Sequence, residues 1–234
     1  MQYTDPYIDI CLEGPNSIFK WLSPADKEAI DQDHDVAYFR KGDIIVGEGD
    51  RTNGLVCLAS GKAKVFRVGA GGREQIIRML RPQNFISYRS LFSENQYPFT
   101  VAALEDSTIV IFGKHILSKI LKQNADLAIK FIRVISEELL SSNNRLISLT
   151  QKHVRGRIAE SILLLRDTYG SEADGRTLRV LLTREDLAHL SNMTTSNAIR
   201  TLSNFVSERL IAMDGRKIMI LNITKLEAIS ESGQ

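Results

Sequence analysis

At 234 residues the chain is long enough for two domains, and its 43% hydrophobic and 25% charged residues are those of an ordinary globular protein. A net charge of +2 excludes a polycation, so any affinity for nucleic acid must come from a local patch and from dimerisation. No apolar run reaches a membrane span, the opening MQYTDPYIDI lacks the basic-then-apolar form of a secretory signal, and a reducing cytoplasm is the expected compartment.

Cys11 and Cys57 are too few and too far apart in sequence to suggest a disulfide framework or a zinc site. Ser23-Pro24-Ala25-Asp26 reads as an N-cap with proline at the first helical position. From Val36 to Phe112 the texture turns to short β-rich runs, at 44–46, 54–58, 63–68, 74–80 and 108–112. Glycine turns separate them, at Lys41-Gly42-Asp43, Gly47-Glu48-Gly49-Asp50, Ser60-Gly61-Lys62 and Gly69-Ala70-Gly71-Gly72. Such spacing implies an antiparallel barrel or jelly-roll-like sandwich.

A long helical stretch follows from Lys114 to Lys152, with no internal proline or glycine. Ala128, Ile132, Ile135, Leu139, Ser142, Leu146 and Leu149 alternate at spacings of four and three, which is a heptad seam for a coiled-coil contact. Phe131, Val134 and Leu140 suggest a second buried face, so one side is expected on the chain's own barrel and the other on a partner subunit. A parallel pair would set two reading heads side by side and favour a pseudo-palindromic site.

Residues 182–202, LTREDLAHLSNMTTSNAIRTL, predict a short helix, a break at Ser191-Asn192-Met193 and a second helix. Thr183 is the expected N-cap of the first, with Glu185 and Asp186 in the acidic first turn. Asn192 stands where the turn wants positive φ. Thr194 caps the second helix, which runs to about Arg209 and presents Thr195, Ser196, Asn197 and Arg200. Asp214-Gly215 between two apolar runs then predicts a type I′ hairpin, a wing with Arg216 and Lys217 at its tip. Helix, turn, helix and wing in that order favour DNA over an ordinary helical hairpin. The DNA-contacting set is thus Thr183, Thr194, Thr195, Ser196, Asn197, Arg200, Arg216 and Lys217.

Glycine-punctuated β-roll, long helix and winged helix in this order resemble the Crp/Fnr family of bacterial transcription regulators. The segments that carry the resemblance are KGDIIVGEGD (41–50), SGKAKVF (60–66), GREQIIRML (72–80), FIS (85–87), VRGRIAESILLL (154–165) and LTREDLAHLSNMTTSNAIRTL (182–202). The resemblance covers nearly the whole chain. It implies an α+β fold: an N-terminal helix and double-stranded β-helix or jelly-roll-like sensor over 1–122, a dimerisation helix over 123–152 and a winged helix-turn-helix over 153–234. It also implies a homodimer that binds double-stranded DNA through residues 194–207 under effector control, works with RNA polymerase and catalyses nothing.

Departures from the family's pattern limit what carries over. Relatives that bind cyclic nucleotides hold the ribose with a Glu and the cyclic phosphate with an Arg-Ser pair. Here Tyr88 stands at the Glu position, and Tyr97, Pro98 and Phe99 fall where Arg-Ser would be. Losing that guanidinium removes the bidentate contact a buried phosphate needs, so the expected effector is not cAMP. Arg89 is a substitute charge or a surface ion pair. The expected pocket is rimmed by Tyr88, Leu91, Phe92, Tyr97 and Phe99, with Ser142 and Asn143 offering hydrogen bonds; the bland reading is that the aromatics fill the core.

Two cysteines fall short of the four thiolates of an iron–sulfur cluster. Haem stays open, with His34, His115, His153 and His189 as candidate axial ligands. A cyclic-nucleotide regulator with an atypical pocket and a haem-based gas sensor are therefore the alternatives. A cupin-like enzyme lacks its histidines, and an adaptor using the winged helix without DNA is a further rival. In the recognition helix, Ser196 replaces a common Glu, while Arg200 matches the family's guanine-reading Arg and Asn197 is suited to adenine. The half-site should then differ from the common TGTGA type.

Overall fold

The structure is a computed structural model that describes residues 5–51, 54–86, 88, 92 and 96–233. Contacts divide the chain into two compact units, one of Met1–Phe66 with Leu80–Leu140, the other of Arg67–Met79 with Ser141–Gln234. Arg89 and Leu91 of the expected pocket lie outside the described residues.

The first unit opens with α1 (Pro6–Glu13), which the sequence reading did not anticipate, and α2 (Pro24–Asp31). Both start on a capped proline. Asp5 accepts from the Tyr7 amide at 2.7 Å, and Ser23 from the Asp26 amide at 3.1 Å, as the Ser-Pro pair predicts. Among the described residues seven strands follow: β1 (His34–Phe39), β2 (Ile44–Val46), β3 (Gly54–Ser60), β4 (Ala63–Val68), β5 (Glu74–Leu80), β6 (Thr100–Ala103) and β7 (Ser107–Gly113). They form two sheets in the orders β1-β7-β3 and β2-β6-β4-β5, and the pairings of β7 with β1 and β3 and of β6 with β2 and β4 are antiparallel. This is the expected jelly-roll-like arrangement, with β1 and β6 as strands the glycine spacing did not reveal.

Alternation along β3 separates two cores. Val56 and Leu58 join Ile45, Val65, Leu80, Tyr97, Phe99, Val101 and Ile109 in one cluster. Leu55, Cys57 and Ala59 point the other way, into a cluster with Ile8, Cys11 and Leu12 of α1, Phe19, Phe85, Tyr88 and Phe112. Phe19 sits at its centre, edge-to-face with Phe85 and Phe112 at 5.5 Å each and with Phe131 at 6.3 Å.

The stretch read as one long helix is two, α3 (Lys114–Gln123) and α4 (Ala125–Gln151). Asn124 makes the break. Its backbone is extended at φ −123°, its amide donates to the Ile120 carbonyl, and its side chain accepts from the Leu127 amide at 2.9 Å. One residue thus ends one helix and caps the next, a role that asparagine fills well and that apolar periodicity does not register. Leu127 and Phe131 of α4 complete the α1-side core.

The second unit holds the remainder of α4, α5 (Val154–Tyr169), α6 (Arg184–Leu190), α7 (Thr195–Ser207), the hairpin β8 (Ile211–Asp214) and β9 (Lys217–Ile220), and α8 (Ile223–Ser232). Gly156 lets α5 meet the end of α8 closely. A Cβ there would sit 2.9 Å from the Gly233 backbone, below any real contact. No helix among the described residues is long and apolar enough to cross a membrane.

Candidate nucleic-acid interface

Local sequence dictates both helices of the expected pair. Thr183 and Asp186 form a reciprocal capping box: the Asp186 amide donates to the Thr183 hydroxyl at 2.9 Å, and the Thr183 amide to the Asp186 carboxylate at 3.3 Å. The Thr183 hydroxyl also donates to that carboxylate at 2.7 Å, so it is already engaged at the head of α6. Asn192 takes φ +50° in the turn, as its position predicts. Thr194 caps α7 by accepting from the Asn197 amide at 3.3 Å.

Below this surface α6 and α7 bury Leu187, Ala188, Leu190, Ala198, Leu202 and Phe205. Ser191 is fully buried, and its hydroxyl donates to that of Ser161 on α5 at 2.8 Å, which anchors the turn. Arg145 of α4 donates to the Leu190 carbonyl, placing a cation at the C-terminal end of α6. Burial lowers the pKa of this guanidinium, and the charge of Glu160 partly restores it. Nothing in the spacing of Arg145 points to a helix 45 residues away in sequence.

The outward face of α7 presents Ser196 and Arg200 exposed, with Thr195 and Asn197 half-buried. Arg200 donates to the Asn197 side-chain oxygen at 2.9 Å, so the two expected base readers are already linked in the free protein. Ile199 was not anticipated. It is 47% exposed beside them and suits a thymine methyl. At the far end, Arg155 of α5 stacks over Phe205 at 4.9 Å and donates to Glu208 at 2.7 Å. That bond holds the Glu208 carboxyl below its usual range, against a smaller opposing effect of burial.

The wing forms with one correction. Asp214 pairs with Lys217, so the turn residues are Gly215 and Arg216, and of these only Gly215, at φ +55°, has positive φ. The type I′ turn expected at Asp214-Gly215 is therefore shifted by one residue and changed in type, because Asp214 stays in the ladder. Arg216 and Lys217 are exposed at the tip. Arg184 at the start of α6 donates to the Gly215 carbonyl at 2.9 Å and ties wing to helix.

Residues 67–79, the tip of the β4–β5 hairpin, also belong to this unit. Arg73 donates to the Asn192 side chain at 2.8 Å, and Gln75 to the His189 carbonyl at 2.8 Å. The His189 ring lies 3.6 Å from the Glu74 carboxylate. All three hairpin residues fall within GREQIIRML, which the resemblance singled out without assigning them a partner.

Among the described residues of the first unit, the aromatics of the expected effector pocket are not brought together. Tyr88, 4% exposed, packs in the α1-side core, whereas Tyr97 and Phe99 fill the other core with ring centroids 6.3 Å apart. Opposite faces of β3 hold them apart. Ser142 and Asn143 are exposed on α4, in the second unit. Phe92, 53% exposed, instead helps line a cavity of about 490 Å³ with Leu121, Ala128, Phe131, Ile132 and Ile135, rimmed by Lys114 and Lys122. Of the candidate haem ligands, His34 bonds the Asp31 carbonyl at 2.7 Å, and His115 and His153 are exposed. None of the four lines that cavity.

Along α4 the heptad residues Ile132, Leu139 and Leu146 are 63%, 59% and 63% exposed. Ser142 is exposed, and Ile135 and Leu149 are half-buried. Ile129, Leu140 and Ile147 widen the apolar face, each more than half exposed. Leu140, expected on the inner side, is therefore on the outer one.

Comparison with known proteins finds two family profiles along the chain. The profile of the cyclic nucleotide-binding domain matches residues 36–124, and that of the Crp-like helix-turn-helix domain matches residues 156–229. The CRP-like cAMP-activated global transcriptional regulator of Mycobacterium tuberculosis is 24% identical over 211 residues, spanning 89% of this chain and 94% of the relative. An anaerobic regulatory protein of Bacillus subtilis is 24% identical over 177 residues, 75% of this chain and 74% of the relative. Among solved structures, FixK2 from Bradyrhizobium japonicum superposes with a TM-score of 0.75 at 19% identity, over 83% of this chain and 96% of that one.

Proposed function

Because the chain belongs to the Crp/Fnr family of transcription regulators, whose members bind DNA, we propose that it acts as a homodimer reading a pseudo-palindromic promoter site through residues 194–207. The observation that carries this reading is the outward face of α7, where Arg200 and Asn197 are joined at 2.9 Å on a helix capped by Thr194. Arg200 suits a guanine edge and Asn197 an adenine edge. Thr183, Thr195 and Ser196 add short polar groups, and Arg216 and Lys217 a phosphate contact from the wing. The apolar face of α4, with Ile132, Leu139 and Leu146 exposed and Ile135 and Leu149 half-buried, supports dimerisation, with Ser142 in register.

The protein works in the cytoplasm beside RNA polymerase, under an effector other than cAMP. That last point rests on Tyr97 and Phe99, which stand where the resemblance expects the phosphate-holding Arg-Ser pair and are buried as apolar core, offering no guanidinium to a cyclic phosphate.

Selection of bound sequences from a random DNA pool, at stated salt, tests the reading. The expected outcome is two inverted half-sites about one helical turn apart. Recovery of sequences with no common element would overturn it. Titration with cAMP and with haem, followed by thermal melting, tests the effector. A rise in Tm with cAMP would restore a cyclic-nucleotide regulator, and a Soret band in the freshly purified protein, before any haem is added, a haem-based gas sensor.

A further inference from the structure

A helix leaves its last carbonyls without partners of its own, and those of α6 are closed in two ways. The turn supplies two bonds: the Ser191 amide donates to the Leu187 carbonyl at 3.0 Å, and the Met193 amide to that of Ala188 at 3.0 Å, around Asn192 at φ +50°. The next two carbonyls are taken by side chains distant in sequence. Arg145 of α4 donates to that of Leu190, and Gln75 of β5 to that of His189 at 2.8 Å. Beside them Arg73 donates to the Asn192 side-chain oxygen at 2.8 Å, and the Glu74 carboxylate stands 3.6 Å from the His189 ring. Three consecutive hairpin residues thus grip the end of α6 and the turn that leads to α7.

The grip is itself anchored. The Arg73 carbonyl accepts from the Gly69 amide at 2.9 Å, and the Gly69 carbonyl from the Gly72 amide at 2.9 Å, with Gly72 at φ +73°. Arg73 and Gln75 therefore project from a hydrogen-bonded turn and the strand that follows it. The turn they hold governs α7, which starts at Thr195. Arg200 lies about 8 Å further along at a rise of 1.5 Å per residue, so a tilt of about 10° at the turn displaces it by about 1.3 Å. Side chains that recognise a ligand must be held within about 0.5 Å.

Resting on the reading of α7 as the DNA-contacting helix, we propose that Arg73 and Gln75 are positioning residues for base recognition. They fix the turn between α6 and α7, and through it the angle of α7, without touching DNA. Arg73 acts through the Asn192 side chain and Gln75 through the His189 carbonyl.

The test is fluorescence anisotropy with the full-length protein on its selected palindromic site and on a scrambled duplex of equal length, at several salt concentrations. Arg73→Ala, Gln75→Ala and Asn192→Gly, the last keeping the positive φ, should each reduce the ratio of the two affinities about tenfold. Affinity for the scrambled duplex, the salt slope and Tm should stay as in the wild type. Arg73→Lys, which keeps one N–H for Asn192, should restore most of the ratio, and Arg73→Ala with Asn192→Gly should be no worse than either alone. Arg73 is exposed, so if Gln75→Ala does not fold, the other variants still answer. The proposal fails if the variants discriminate like the wild type, or if the losses from Arg73 and Asn192 add. It fails too if Arg73→Ala weakens both duplexes equally and lowers the salt slope by about one, which would make Arg73 a phosphate contact. A wild type that does not discriminate would instead overturn the DNA reading, and this proposal with it.

Discussion

Arg200 and Asn197 illustrate how a short bond shapes what a side chain can read. With one guanidinium N–H committed to the Asn197 oxygen, the Arg200 fork is oriented before DNA arrives. Arg200→Ala should weaken binding by about 1–3 kcal/mol and relax one base position, as measured by gel shift across single-base variants. An equal loss on every sequence would assign Arg200 to phosphate instead. A second residue makes a prediction about acid. The Asp174 carboxylate accepts from the Thr177 hydroxyl at 2.5 Å and from the Thr177 and Arg176 amides, which lowers its pKa to about 2. A depressed carboxylate pKa adds stability that is complete above the unfolded value of roughly 3.9 and is lost as pH falls through the folded one. Carbon NMR titration should find Asp174 near its lowered value, and Thr177→Val should raise it.

The recognition helix ends on an unusual residue. Arg209 sits at φ +56°, with its amide and that of Leu210 donating to Val206 and Phe205 carbonyls in a Schellman closure. An exposed arginine in the left-handed region costs about 1 kcal/mol, so Arg209→Gly should raise stability by that order in urea denaturation, provided m is unchanged. Elements such as this pair of helices were legible in the sequence because their signals are local. Thr183, Asp186, Asn192 and Thr194 act within three residues of themselves. The wing turn slipped by one residue because Asp-Gly marks a turn without saying which residue remains paired. Asn124 was missed because a residue that stops one helix by starting another leaves the apolar period almost intact. The pocket was misread for a different reason. Tyr88, Tyr97 and Phe99 are neighbours in sequence, and only the assembled sheets decide on which side of β3 each ring falls.

At the scale of the molecule, the proposed dimer rests on the broad apolar face of α4. Ile132 and Leu139 are exposed in one chain, so charge there should separate protomers without disturbing either core. Leu139→Glu should convert dimer to monomer in sedimentation and lower affinity for a palindromic site on the order of a hundredfold, while half-site binding survives. A mutant still dimeric would place the interface elsewhere. The non-local bonds, among them Arg73 with Asn192 and Arg145 with Leu190, were invisible beforehand, since each joins residues that no periodicity relates.

The division of α4 after Leu140 bears on how regulators of this kind exchange parts. A helix of 27 residues with no glycine or proline offers no seam of its own, and the expected boundary after 152 falls between that helix and α5. Arg145 and Ser148, which hold Leu190 and Glu160, lie before that point. A chimera grafted at 152–153 would therefore leave the reader's own struts behind with the donor, whereas one spliced at 140–141 would carry them along. Recombination that respects contacts rather than loops should yield the sturdier hybrid, which melting of the two grafts side by side would reveal.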